Sequence, residues 1–133
     1  MQHAVADVSF LVREYDQAIA FFTRALGYRL VQDTALGESA GHAKRWVVVA
    51  PPDDGGANLL LARAATPEQQ ALVGRQGAGR VFLFLYTTNF SASHDQMQRQ
   101  GVRFTEAPRD EAYGRVAVFL DLYGNAWDLV ERR

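Results

Sequence analysis

Between Asp7 and Arg13 apolar residues alternate around Ser9, the period-two signature of a half-buried strand. The period then lengthens: Ala18, Ile19, Phe22, Ala25 and Leu26 recur at helical spacing. Asp16 is placed to cap that helix, Gly27 to end it, and Tyr28–Val31 begins a further strand. The same plan returns later. Arg80–Tyr86 reads as a strand, Asn89 or Ser91 can cap a helix, Gly101 ends it, and Val102–Thr105 starts a strand. Asp7 and Arg80 stand 73 positions apart, and Gly27 and Gly101 stand 74 apart, so the chain carries an internal repeat.

Each copy continues with two more strands. In the first these are Lys44–Ala50 and Ala57–Arg63, separated by the turn PPDDGG. In the second they are Tyr113–Asp121 and Ala126–Glu131, separated by a Gly-Asn turn. Both halves therefore read β-α-β-β-β. The join carries Thr66 as a helix cap with Pro67 at the first helical position, which predicts a short helix followed by a Gly-rich link. The expected organisation is a single α+β domain. Module 1 covers about 1–64, a linker about 65–78, and module 2 about 79–133.

A chain of 133 residues buries roughly two-thirds of its unfolded surface. A net charge of −1 provides no electrostatic footprint for nucleic acid or an anionic membrane. The absence of cysteine excludes disulfides, thiolate metal sites and a cysteine nucleophile. The apolar runs are short, and no signal peptide or membrane span is visible, so a cytoplasmic protein is expected.

The segment LVREYDQAIAFFTRALGYRLV and the closing FLDLYGNAWDLVE, set in the duplicated plan, resemble the vicinal oxygen chelate superfamily over essentially the whole chain. This is the glyoxalase, bleomycin-resistance and dioxygenase group. The resemblance implies two tandem βαβββ modules forming a curled mixed sheet around one cavity, and a homodimer. In its metalloenzymes a divalent metal takes one ligand from the first and one from the last strand of each module. Those positions fall here on Asp7, Leu60, Arg80 and Asp128. Leucine has no lone pair to give, and a guanidinium is a fixed cation with no acceptor. No cofactor and no divalent metal are therefore expected. Arg80 is expected instead to fork between Asp7 and Asp128. Two readings of that trio stand: a structural ion cluster, or part of a working site.

Alternation assigns the cavity wall. Arg80, Phe82, Phe84 and Tyr86 share one strand face; Asp7, Ser9 and Leu11 share another; Asn58, Leu60 and Ala62 a third. Trp46 and Val48 are expected to contribute. The seventh strand offers either Arg115, Ala117 and Phe119 or the alternate set. EAPRDEAYGRV reads as a covering loop from which Arg109, Tyr113 and Arg115 could meet a ligand. Such a wall is apolar and aromatic with few polar groups, as small-molecule sites are, although the same face could simply pack as core. Of the histidines, His3 precedes the first strand, His42 lies in the polar segment GESAGHAKR near the expected cavity mouth, and His94 falls on a helix surface; none has metal-ligand spacing.

Three functions follow as candidates. The first is a metal-independent protein that binds a small, partly aromatic molecule. The second is a lyase, isomerase or dioxygenase of glyoxalase type with an altered metal site. The third is a dimeric domain with no ligand. Leu60 and Arg80 favour the first and third.

Overall fold

The computed structural model describes residues 1–39, 41–53 and 55–133. Ala40, in GESAGHAKR, and Asp54, in PPDDGG, lie outside the described residues, as does the side chain of Ser39. The chain runs β1 (Asp7–Val12), α1 (Tyr15–Ala25), β2 (Arg29–Ser39), β3 (His42–Ala50), β4 (Asn58–Arg63), α2 (Pro67–Leu72), β5 (Leu83–Tyr86), α3 (Phe90–Arg99), β6 (Arg103–Phe104), β7 (Arg109–Glu111), β8 (Gly114–Leu120) and β9 (Ala126–Arg132). The fold is α+β and separates into two compact units, Met1–Val73 and Gly74–Arg133. Each unit holds one mixed sheet, ordered β1-β4-β3-β2 in the first and β5-β9-β8-β6 in the second, with β7 beside β8. In both, the first strand pairs parallel with the last, β1 with β4 and β5 with β9. A parallel pair needs a long crossover, and each unit supplies a helix for it.

In the first unit one sheet face packs under α1. Phe10, Val12, Val47, Val49, Leu59 and Leu61 are buried there, with Ala18 and Phe22 of the helix above them. The Phe10 and Phe22 rings meet edge to face at 5.1 Å. The helix starts at Glu14, which caps with no side-chain hydrogen bond. Asp16, expected as the cap, lies in the first turn instead, where its charge suits the positive end of the helix. It accepts from Arg45 Nη1 at 2.9 Å, and Arg45 also grips Asp33 at 2.6 Å. Thr66 does cap α2 through a reciprocal box with Gln69.

Three local expectations are corrected. GESAGHAKR is strand on both sides of its turn rather than a polar loop, because β2 absorbs two register shifts and stays paired with β3 out to Ser39 and His42. EAPRDEAYGRV contains β7, which pairs with β8, so it is a third strand of a meander rather than a free covering loop. The strand expected from Arg80 begins at Leu83. The Arg80 N–H closes a turn onto Gly77 O at 3.0 Å, and pairing with the last strand starts only at Phe82, whose N–H donates to Ala126 O at 2.8 Å.

The second unit buries Ala117, Phe119, Trp127 and Leu129 on the α3 side, with Phe90 and Met97 of the helix. Its β8–β9 turn is organised by Asp121, 7% exposed. Asp121 Oδ1 accepts from the backbone N–H groups of Tyr123, Gly124 and Asn125; Oδ2 accepts from Asn125 Nδ2 at 2.9 Å and Trp127 Nε1 at 2.8 Å. Among the described residues no helix is long and apolar enough to cross a membrane.

Candidate functional site

Each sheet has a face turned away from its helix, and strand register decides which side chains stand on it. In the first unit Asp7 pairs with Asn58, Ser9 with Leu60 and Leu11 with Ala62, while Val48 pairs with Leu60. Residues opposite one another share a face. Asp7, Ser9, Leu11, Trp46, Val48, Asn58, Leu60 and Ala62 therefore stand together on the helix-free side. At one end of this face Leu11, Tyr15, His42, Lys44, Arg63 and Gln69 line a cleft of about 250 Å³. His42 is thus a cleft residue on β3. His3 is exposed before β1.

In the second unit Asp128 lies between Phe84 of β5 and Val118 of β8. Phe82, Phe84, Tyr86, Val116 and Val118 share its face, whereas Ala117 and Phe119 belong to the helix side. Phe84 is 60% and Tyr86 56% exposed, and Arg132 lies over the Tyr86 ring at 4.3 Å. Asp128 is only 7% exposed, and its Oδ1 is buried with no hydrogen-bond partner. Burial pushes its carboxyl above the ordinary carboxylate range; Arg109 pulls it down and Glu106 pushes it further up.

Three expected positions are corrected. Arg80 is exposed, and within its unit it is not the partner of Asp128, whose charged neighbours are Arg109 and Glu106. The late start of β5 leaves Arg80 in the preceding turn, where it lines a cleft of about 280 Å³ with Arg75 and Gly124. Arg115 points to the helix side, its guanidinium 5.3 Å from the Phe90 ring, because odd-numbered β8 residues face α3. His94 is not a surface residue but half-buried, stacked on Phe90 and 4.1 Å from the Phe104 ring centroid, with Nε2 buried and unpartnered.

Around Asp128 the sequence reading missed Glu106. It accepts from Arg109 Nε at 2.9 Å and from the Val118 N–H at 3.2 Å. Arg109 also donates to Glu111 at 2.7 Å and to Tyr113, and these acceptors hold its charge firmly. Periodicity gave no sign of Glu106, since it lies between strands, and only the β7 pairing brings it back to β8. Arg109 and Tyr113 are thus placed in a polar cluster beside Asp128.

Two predictions arise from this geometry. Arg80→Ala should change stability by less than about 0.5 kcal/mol, as an exposed turn residue does, measured by urea denaturation; a loss above about 2 kcal/mol would restore the forked-arginine reading. Asp128→Asn should raise the melting temperature at pH 7. A raised folded pKa means that the native protein holds this proton more tightly than the unfolded chain. The stability linked to it is present at about pH 4 and below, and is lost as pH climbs through the folded value. The gain from Asp128→Asn should therefore shrink toward pH 4. Paired melts at pH 4 and pH 7 check this; a variant less stable than the parent at pH 7 contradicts it.

The family metal needs donors at Asp7, Leu60, Arg80 and Asp128. Leu60 and Arg80 supply no lone pair. Among the described residues no three His, Cys, Asp or Glu side chains gather in a way that could hold a metal ion. The donor set does not fit the group.

A model of the Glyoxalase/Bleomycin resistance protein/Dioxygenase superfamily matches residues 2–129. A protein of Shewanella frigidimarina is 46% identical over 98% of this chain and 95% of its own length. The crystal structure of UcmS2 is similar at a TM-score of 0.81 with 27% identity, covering 98% of both chains. That of TnmS3, an antibiotic binding protein from a Streptomyces strain, gives a TM-score of 0.77 with 26% identity over 100% of this chain and 98% of that one.

Proposed function

The chain belongs to the glyoxalase/bleomycin resistance protein/dioxygenase superfamily, and from that premise we propose that it binds a small, partly aromatic molecule on the helix-free face of its second sheet, without the divalent metal of the enzymes. One observation carries the reading. The second unit leaves Phe84 and Tyr86 open to solvent around a buried carboxylate with an unused oxygen. Exposed aromatics on a sheet face lose water contact when a planar ligand stacks on them. Likeness to an antibiotic binding protein across the full chain supports the same class of ligand.

Isothermal titration with a panel of planar aromatic antibiotics tests the proposal. At least one should bind with a micromolar or tighter Kd and remain chemically unchanged. Phe84→Ala should weaken it by roughly threefold to tenfold, the worth of one stacking contact. An alternative keeps Asp7 and Asp128 as half of a metal site in a lyase, isomerase or dioxygenase. Metal analysis decides between them: stoichiometric nickel or zinc in the purified protein would overturn the metal-free reading.

A homodimer belongs to the same proposal. Edge strand β2 exposes Leu30, Val31 and Leu36, and an open apolar edge is normally covered. Light scattering at twice the chain mass is the expected result.

A further inference from the structure

We propose that Asp128 anchors a hydrogen-bond donor on the ligand, so that the preferred ligand is a planar aromatic bearing a hydroxyl or amine rather than a purely apolar or acidic one. This rests on the binding face described above and specifies its chemistry. A carboxylate on a buried strand position is normally satisfied by its neighbours. Here the neighbours satisfy one another instead. Arg109 directs Nε to Glu106 and Nη1 to Glu111, and the free N–H of Val118 goes to Glu106. Asp128 Oδ1 is left over, in a side chain more than nine-tenths buried. Register places it beside Phe84, whose ring is open on the same face. The oxygen is enclosed, so a substituent on a ring stacked on Phe84 reaches Asp128 only as the side chains over it move aside. The substituent must be a donor, because Asp128 and Glu106 together repel an anion. A site with an unmatched buried acceptor also rejects analogues that cannot fill it.

Four naphthalenes of equal ring size form the test. They are 2-naphthol, 2-(aminomethyl)naphthalene, 2-methoxynaphthalene and 2-acetylnaphthalene, titrated calorimetrically into the intact protein at pH 7. The hydroxyl and amine compounds should bind about tenfold more tightly than the methoxy compound, equivalent to about 1.4 kcal/mol. The ratio should fall to about one in Asp128→Leu. If that variant does not fold, Asp128→Asn serves: its amide oxygen still accepts from the hydroxyl compound, but the preference for the amine should disappear. Equal binding of the hydroxyl and methoxy compounds by the native protein would overturn the anchor and leave the binding face standing. Tightest binding of the acetyl compound would overturn it too, since Asp128 would then be donating. Binding of none would remove the binding face and this inference together.

Discussion

Asp121→Ala should cost about 4 kcal/mol and lower the melting temperature by roughly 12–16 °C. One carboxylate there holds five donors: three successive backbone N–H groups, the Asn125 amide and the Trp127 indole. Hydrogen bonds to a charged acceptor are worth about 1.5–3 kcal/mol each, but five on one group are far from additive. Removing the acceptor leaves the Trp127 N–H, on a residue 1% exposed, with no route to water. Asp121→Asn keeps the shape, but its N–H₂ must face donors either way: the Asn125 amide and the Trp127 indole together in place of Oδ2, or the three backbone N–H groups in place of Oδ1, so about half the loss should remain. Thermal melts at neutral pH are the check. A drop of under about 3 °C in the alanine variant would mean that the turn holds without its acid.

Gly74→Ala should cost about 3 kcal/mol by strain and overlap at once. Gly74 has φ +78, and a Cβ there would lie 2.0 Å from the Tyr123 carbonyl oxygen. That oxygen belongs to backbone pinned by Asp121, so it cannot swing aside. Gly79→Ala is the control. Its φ is +89, yet nothing lies within 4 Å of the added carbon, so only the conformational penalty of about 1 kcal/mol applies. Chemical denaturation of both variants isolates the overlap as their difference; equal losses would show that the Gly74–Tyr123 approach relaxes freely. The two sites should also couple. Gln76 N–H donates to Asn125 Oδ1, so the Gly-rich link and the Asp121 turn form one structure, and the double variant should lose less than the sum of the singles.

Both predictions concern a turn that the sequence marks plainly, as DLYGNAW, without disclosing its work. The motif signals a tight turn, but not that Asp121 turns inward while Oδ1 of Asp128, seven positions on, is left without a hydrogen bond. Local rules were sufficient for several contacts between near neighbours, though not for the Asp121 turn or for the start of α1, which Glu14 rather than Asp16 caps. The Thr66 cap and the glycines after α1 and α3 act within a turn or two and were readable from spacing; the structure adds Gln69 to the Thr66 cap and takes Asn89 rather than Ser91 for α3. The repeat and the helix-free wall of the first unit were likewise accessible, because period two divides a strand into faces without any knowledge of its neighbours.

What sequence alone determined was therefore the duplicated α+β plan, the family, the cap of α2, the glycines that end α1 and α3, and the oddity of an acid at Asp128. The tertiary structure decided where β5 begins, which face Arg115 takes, that His94 is enclosed by Phe90 and Phe104, and that Glu106 and Arg109 are the charges near Asp128. Each of these depends on a hydrogen bond or pairing between distant segments: Phe82 to Ala126, β7 to β8, β8 to β9. Alternation is unchanged when a strand starts three residues later or when its two faces are exchanged, so a periodic pattern cannot register either difference; only the ladder of bonds to the next strand can.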